Sequence, residues 1–354
     1  MKKIFIIFLS GIIFEAITQS MPCCAPPEVA NVVRPNILIV WDITGSMRRR
    51  ATWTGYSVRD PNWNYDWVGG GAYDPNKIYY GYFHPDSIYQ YRSNIWKAVP
   101  NIAYTDHSIT PEKFDFNNDK YLGNVLNWGT MSRFDVAVKA LTGGKGQPPG
   151  QVNKNTLEGF GDNYGYRAWP TLSIKVGNRT YRFEKPSTDK FSIKCKETNN
   201  SKTYFCKVDV SKVPLEYKIG VIPQIADTNA DNAWDENSPR FGLMTFTTGQ
   251  NPYAQVVKYL HDAENPPDME DFLNAINNVT PKGSTPVGDA VLEAIHYYRY
   301  CSPHWSGAYQ WNINQVGTHK DPWFTGNPSN PQSAWCRKSF IILIGDGESN
   351  SDRP

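Results

Sequence analysis

The chain has 354 residues, of which 40% are hydrophobic and 20% are charged, a balance that is typical of a folded globular protein and excludes an intrinsically disordered one. The length allows one large domain or two ordinary ones. There are 36 lysine and arginine residues against 34 acidic ones, so the formal net charge is +2 and no field of one sign is available to hold a nucleic acid. The short basic run Arg48-Arg49-Arg50 is interpreted as a solvated loop.

The N-terminus has the features of a secretory signal peptide, which we assign to residues 1–20. Lys2 and Lys3 precede an apolar run at residues 4–13, and residues 18–20 are suited to cleavage. The apolar run is too short for a standard transmembrane helix, and no later stretch is apolar enough to cross a membrane. We therefore expect an exported protein of the periplasm or outer surface, with no transmembrane span after signal cleavage.

Along the rest of the chain, short apolar runs alternate with segments whose apolar residues recur at helical spacing. Three short, largely apolar runs predict buried strands, at residues 36–41, 240–246 and 340–344, and the first and last of them are expected to be buried on both faces. Apolar residues at helical spacing predict three helices: one that starts at Ser132 and stops at Gly143-Gly144, and two at residues 271–279 and 287–300. This alternation predicts an α/β fold, a doubly wound parallel sheet with its ligand site at the carboxyl ends of the strands.

Long segments interrupt this pattern at about residues 48–130, 145–238 and 301–337. The first is rich in Tyr, Trp, Asn, Gly and Pro and is far longer than a normal strand–helix loop, so it is either a structured insertion or a mobile surface region. The second contains alternating stretches that predict two β-hairpins, at residues 171–183 and 191–210. The third is rich in Trp and Pro.

The six cysteines suggest disulfide bonds, because their number is even and the chain is exported. Cys195 and Cys206 flank a turn-like stretch and are candidates to staple a hairpin. Cys301 and Cys336 bracket the third long segment and are candidates to close it. Cys23 and Cys24 are adjacent, and their role stays open. A zinc site is disfavoured because there is no CxxC motif or pair of histidines at ligand spacing.

Oxygen-bearing side chains follow the predicted strands and indicate a metal site. Asp42, Thr44 and Ser46 place one carboxylate and two hydroxyls on one turn after the first strand. Thr285 brings a third hydroxyl from the loop before the last helix, and Asp346 brings a second carboxylate at the end of the last strand. Hard divalent cations prefer oxygen ligands, so we predict Mg²⁺ here, with Ca²⁺ or Mn²⁺ as alternatives. So few carboxylates leave the ion under-neutralised, and it then seeks an acidic group from a partner.

A second cation loop is predicted at Asp227, Asn229, Asp231 and Asp235, whose spacing is similar to that of an EF-hand calcium loop. Two positions depart from that pattern. Asn232 stands where glycine is expected, and Ser238 stands where a bidentate glutamate is expected. A polar loop without Ca²⁺ is the alternative.

The segment Asp42-Ile-Thr-Gly-Ser-Met47 resembles the metal-ion-dependent adhesion site of von Willebrand factor A domains, with Thr44 in place of the usual serine. Four further segments resemble the N-terminal region of PilY-type proteins, which act at the tip of type IV pili; they are residues 132–144, 240–246, 283–290 and 345–350. The resemblance implies a von Willebrand factor A-like, Rossmann-like domain over residues 34–354 with long β-rich and aromatic insertions. It also implies a pilus-tip location, a role in pilus biogenesis and surface adhesion, and pilin subunits, minor pilins or an acidic surface ligand as partners.

The sequence departs from this family in one respect. Such a domain continues after the strand at residues 340–344 with two more strands and their helices, and the pilus family continues into a β-propeller. Pro354 ends the sequence just past Asp346, so we expect a truncated domain whose last strand is an uncovered edge.

Several functions remain open beside metal-dependent adhesion. The alternatives are a non-adhesive structural or sensing module and a non-functional fragment of a larger pilus protein. We expect no enzymatic activity, since there is no Gly-x-Ser-x-Gly motif, phosphate-binding glycine-rich loop or HExxH motif. A hydrolase would need a general base near the metal site, and the sequence shows none.

Overall fold

The computed structural model describes residues 34–51, 57–59, 65–67, 72–159, 172–187, 190–247, 254–260, 269–281, 285–299, 302–304, 308–309, 322–327, 330–333 and 337–346. The predicted signal peptide and Cys23, Cys24, Cys301 and Cys336 lie outside these residues. Within them the strands are β1 Asn36–Trp41, β2 Ser57–Arg59, β3 Tyr65–Trp67, β4 Ser87–Arg92, β5 Ile95–Ala103, β6 Phe114–Asp115, β7 Lys120–Leu122, β8 Gly146–Gln147, β9 Thr156–Glu158, β10 Leu172–Val176, β11 Arg179–Ser187, β12 Lys190–Cys195, β13 Ser201–Phe205, β14 Lys207–Asp209, β15 Arg240–Phe246, β16 Ala254–Lys258, β17 Phe324–Asn327, β18 Asn330–Ser333 and β19 Ser339–Ile344.

The described helices are α1 Gly123–Thr130, α2 Arg133–Thr142, α3 Val221–Ala226, α4 Met269–Asn277 and α5 Val287–Tyr298, with 3₁₀ turns at Gly45–Arg48 and Leu215–Tyr217. None of them is long and apolar enough to cross a membrane. The helix predicted after Ser132 is confirmed as α2. Ser132 and Asp135 form a capping box at its start, and Gly143 ends it at a φ of 84°.

A four-stranded sheet in the order β16-β15-β1-β19 carries the predicted site. Strand β1 pairs in parallel with β15 on one side and β19 on the other, and β16 adds an antiparallel edge that the sequence pattern did not predict. Successive side chains of β1 point to opposite faces, and all of those from Leu38 to Trp41 are buried, so both faces of this strand are covered. Helix α5 packs against the sheet, and α2 stacks Phe134 on Trp41 with 4.8 Å between ring centroids. The predicted α/β class is confirmed.

The first two long segments fold together into a β-rich unit. Its larger sheet has the order β6-β7-β4-β5-β14-β9-β8, so the first segment supplies one half and the second segment the other, and the two halves join where β5 and β14 pair in parallel. The two predicted hairpins join into one antiparallel meander, β10-β11-β12-β13. Trp96 lies fully buried in the common core, where its ring contacts Tyr121, Phe191 and Tyr204.

The predicted staple between Cys195 and Cys206 is wrong for this structure. Strand β12 pairs with β13 so that Lys194 faces Ser201 and Lys190 faces Phe205. Cys195 therefore lies at the turn end of the hairpin, whereas Cys206 follows the opposite end, about five residues along the strand at roughly 3.3 Å each. That separation is far beyond disulfide reach, so Cys195 and Cys206 are not bonded to each other. The Cys195 thiol lies 3.7 Å from Glu197 Oε2.

The prediction that the strand at residues 340–344 is buried on both faces is also wrong. Strand β19 forms an edge of the sheet, and the side chains of Phe340, Ile342 and Leu343 are exposed, at 52%, 44% and 43%. Among the strands that the structure describes, β19 pairs with β1 and with no other. This edge position agrees with the other expectation drawn from the sequence, namely that the strand lacks a second neighbour.

Candidate metal centre

The ends of β1 and β19 bring the first and last candidate residues together. These strands run in parallel and in register, with Trp41 opposite Ile344, so the residues that follow them leave the sheet side by side. The amide of Asp42 donates to the carbonyl oxygen of Ile344 at 2.7 Å, which continues the ladder by one residue. Asp42 and Asp346 therefore emerge at the same edge of the sheet, as predicted for ligands at the carboxyl ends of strands.

A chain of hydrogen bonds links the hydroxyl groups to Asp346. Thr285 Oγ1 donates to Thr44 Oγ1 at 3.2 Å, and the Thr44 and Ser46 hydroxyl oxygens are 2.9 Å apart. Ser46 Oγ then donates to Asp346 Oδ1 at 2.8 Å. The amide of Thr44 donates to Asp42 Oδ1 at 2.8 Å, which fixes the turn that presents both hydroxyls. All five predicted side chains thus meet in one place.

The second carboxylate oxygen of Asp42 is the unusual atom of this cluster. Asp42 is only 1% exposed, and its Oδ2 has no hydrogen-bond partner among the described residues. Burial raises the pKa of the Asp42 carboxyl, hydrogen bonds from Thr44 and from the main-chain amide of Asp346 offset part of this rise, and the nearby charge of Asp346 adds to it. A buried acceptor without a donor is costly, so its persistence indicates a place for a positive group.

The donor set suits a hard cation rather than zinc. It consists of two carboxylates and three hydroxyls, the oxygen ligands that Mg²⁺, Ca²⁺ and Mn²⁺ accept. Within the residues that the structure describes, no three His, Cys, Asp or Glu side chains are grouped in a way that could hold a metal ion. A cation here would therefore depend on Thr44, Ser46 and Thr285 as much as on the two carboxylates.

Arg133 is a member of the site that the sequence interpretation missed. Its Nη1 contacts Asp346 Oδ2 in an ion pair and lies 3.4 Å from the Asp346 carbonyl oxygen. The signal was present, because Arg133 directly follows the helix cap Ser132, in a segment interpreted for its helical pattern and its family resemblance but not for its charge. Arg49 lies near both of these charges. Burial lowers the pKa of Arg49, the charge of Arg133 lowers it further, and the charge of Asp346 raises it.

The basic run 48–50 is not the solvated loop that was predicted. Arg50 is fully buried and donates from Nη2 to the carbonyl oxygen of Phe183 at 2.7 Å, which ties the metal-site turn to the β-rich unit. Burial lowers the pKa of Arg50 well below its ordinary value. Arg48 and Arg49 are half-buried beside the site.

The second predicted loop, residues 227–235, is folded around the Asp227 carboxylate. Asp227 is buried, and its two oxygens accept from the amides of Asp231 and Asn232, each at 2.9 Å. Asn232 has a φ of 69°, the left-handed conformation for which glycine was expected at this position. The Asp235 carboxylate accepts from the Thr228 amide at 2.9 Å and from its hydroxyl at 2.7 Å. At Asn232 the loop has the left-handed conformation expected of a calcium loop. The Asp227 and Asp235 carboxylates accept hydrogen bonds from amides and a hydroxyl of the loop itself.

Comparison with known proteins finds a similar family for one part of the chain. A family model described as "PilY1 homolog, small alpha/beta domain" matches residues 71–211, the stretch that contains β4 to β14 and hence the β-rich unit. No curated protein and no solved structure matches the chain. The match supports a PilY1-related protein, the class that the sequence resembles, and suggests an association with type IV pili.

Proposed function

We propose that this protein acts in type IV pilus biogenesis or as a tip-associated adhesin, and that it binds its partner through a metal-ion-dependent adhesion site on a von Willebrand factor A-type domain. The observation that carries the proposal is the convergence of Thr44, Ser46, Thr285 and Asp346 around a buried Asp42 carboxylate with one unengaged oxygen. The match of residues 71–211 supports the pilus context and a periplasmic or extracellular location.

Each site residue has a role in this mechanism. Asp42 and Asp346 supply negative charge, and Ser46, Thr44 and Thr285 supply neutral oxygens that add none. When bound, Mg²⁺ or a similar cation supplies a Lewis-acidic position that an acidic group of a partner can ligate. The chain keeps the site ordered through the parallel register of β1 and β19 and through the amide of Thr44 on Asp42 Oδ1. Pilin subunits, minor pilins or an acidic surface ligand are the partners that this chemistry fits. No enzymatic step is part of the proposal.

Ca²⁺ in the 227–235 loop is a second part of the proposal. Asp227, Asn229 and Asp231 stand at alternate positions, and the left-handed Asn232 gives the loop the turn that a calcium loop needs. A cation there would order the segment that leads into β15, the strand beside β1.

A non-adhesive structural or sensing module is the second candidate function, and one observation favours it. Arg133 already places a positive charge on Asp346, so the carboxylate is neutralised by the chain itself. In that case the cluster would hold β1, β19 and α2 together without capturing a partner.

The experiment that separates these functions is binding of the purified protein to purified type IV pili, with Mg²⁺ and with EDTA. Adhesion through the site predicts binding that is lost with EDTA and in Asp42→Ala. Asp271→Asn is the matched control, because Asp271 is a carboxylate on α4 whose side chain is 56% exposed and pairs with Lys258 of β16. Binding that survives both chelation and Asp42→Ala would refute the adhesive function and leave the structural one.

A further inference from the structure

Arg133 is fixed beside the candidate metal centre by main-chain contacts. It is the first residue of α2, and its amide donates to the carbonyl oxygen of Arg49 at 2.9 Å. The amide of Ala51 donates in the other direction to the carbonyl oxygen of Met131 at 2.9 Å, and Arg50 forms a β-bridge with Ser132. The start of α2 is therefore attached to the segment that follows the Asp42–Ser46 turn, so the position of Arg133 follows from the fold.

The side chain of Arg133 contacts the Asp346 carboxylate oxygen that does not accept a hydrogen bond from Ser46. Asp346 Oδ1 accepts from Ser46 Oγ, and Asp346 Oδ2 is paired with Arg133 Nη1. The Asp346 side chain is only 6% exposed, while that of Arg133 is 21% exposed. The carboxylate is thus enclosed, whereas its guanidinium partner lies partly at the surface.

A divalent cation and the Arg133 guanidinium disfavour each other at Asp346. Both are positive, both are attracted by the same carboxylate, and they repel each other at close range in a site shielded from water. The Asp42 carboxylate differs from that of Asp346, because its Oδ2 has no hydrogen-bond partner among the described residues. One carboxylate of the cluster is therefore engaged by the protein's own cation, whereas the other keeps an unengaged oxygen.

We infer that Arg133 is a resident counter-ion of Asp346 that competes with a divalent cation for this carboxylate, and so sets the cation concentration at which the site fills. The inference rests on the proposed function, because it concerns the same site. In the filled site Arg133 turns from Asp346 towards solvent, which its partial exposure and its position at the helix start permit. This competition raises the dissociation constant of the site, so a higher cation concentration is needed to fill it.

The test is a calorimetric titration of Mn²⁺ and Mg²⁺ into the chelator-treated full chain and its variants. Arg133→Gln and Arg133→Ala remove the charge, and both replacement residues are compatible with the first turn of a helix. We expect each variant to bind the cation at least about fivefold more tightly, because a unit charge a few ångströms away has that effect even with strong solvent screening. Arg133→Lys retains the charge and is expected to bind with nearly the affinity of the unaltered chain.

Arg182→Gln is the matched control, since Arg182 lies on β11 and its partly exposed side chain pairs with Glu184 at 3.9 Å. It should leave the cation affinity unchanged. Equal affinity in the unaltered chain and in both uncharged Arg133 variants would overturn the inference and leave the proposed metal site standing. No cation binding by any of these proteins, all shown to be folded by circular dichroism, would overturn the inference and the metal site together.

Discussion

Replacing Asp42 by asparagine tests the energetics of the candidate centre without changing its shape. The substituted side chain would keep an oxygen for the Thr44 amide, lose the negative charge, and place an NH₂ group where the second carboxylate oxygen lies. In the part of the chain that the structure describes, Asp42 Oδ2 is a buried acceptor without a donor, a situation that costs about 1–3 kcal/mol. Burial and the charge of Asp346 both oppose ionisation of this carboxyl. In EDTA, Asp42→Asn should therefore be more stable than the unaltered chain, by about 1–3 kcal/mol.

Addition of a saturating cation should reverse this order. At a concentration about a hundred times its dissociation constant, a ligand stabilises the native state by about 2.7 kcal/mol, and Asp42→Asn should lose most of that gain. Urea unfolding with EDTA and with Mg²⁺ measures both differences, and Asp271→Asn should change neither by more than about 0.5 kcal/mol. If Asp42→Asn is less stable than the unaltered chain in EDTA, then the Asp42 charge is compensated and the reasoning from its unengaged oxygen fails. If the variant gains as much from Mg²⁺ as the unaltered chain, the cation does not bind at Asp42.

Three further predictions follow from other parts of the structure. Burial lowers the pKa of Lys154 to about 7, below the ordinary 10.5, so the unfolded chain binds more protons between these values and stability rises with pH. In urea unfolding at about pH 7, 8 and 9, the free energy of unfolding of the unaltered chain should rise relative to that of Lys154→Met by about 1 kcal/mol per pH unit. A difference between the two proteins that does not change with pH would contradict the lowered pKa of Lys154. Trp96→Ala should cost about 3–5 kcal/mol in urea unfolding because it empties the centre of the β-rich unit, whereas Tyr217→Ala, at an exposed ring, should cost far less; equal losses would refute this view of the core. In an Asp42→Ala background, which removes the first candidate cation site, Ca²⁺ should raise the melting temperature while Asp227 is present but not after Asp227→Ala, and a similar rise in both would argue against a calcium loop.

The elements that frame the candidate centre could be predicted because their signals are local. β1 and β15 are short apolar runs buried on both faces, and the capping box of Ser132 and Asp135 with Gly143 marks both ends of α2. The five oxygen-bearing residues could be predicted as a group because each follows or precedes one of these elements. Register then brings them together, since parallel strands paired from the same end finish at the same edge.

The β-rich unit could not be predicted in this way because its order depends on distant pairings. Val208 of β14 pairs with Trp96 of β5, more than a hundred residues earlier, and several strands of this sheet have only two or three residues. Strands that short have no measurable alternation. The same holds for the cysteines, because the register of β12 and β13, and not the sequence spacing, places Cys195 and Cys206 at opposite ends of a hairpin.

Arg133 shows a further limit of sequence interpretation. Its sequence position next to a helix cap indicates a helix start, and only the tertiary structure shows that the guanidinium meets Asp346, 213 residues later. Its charge changes the chemistry of the candidate centre, since the oxygen ligands alone would give the site the two negative charges of Asp42 and Asp346. Pairing with Arg133 partly offsets this negative charge.

The central claim is that Asp42, Thr44, Ser46, Thr285 and Asp346 hold a divalent cation. Crystals of the protein soaked in Mn²⁺ and measured for anomalous scattering test it most directly, because Mn²⁺ takes the same oxygen ligands as Mg²⁺ and is located without assumptions about the site. The claim predicts an anomalous peak within bonding distance, about 2.0–2.3 Å, of the Ser46 and Thr44 hydroxyl oxygens. Ordered side chains at these five positions with no peak between them, and with Arg133 still paired to Asp346 at saturating Mn²⁺, would contradict it.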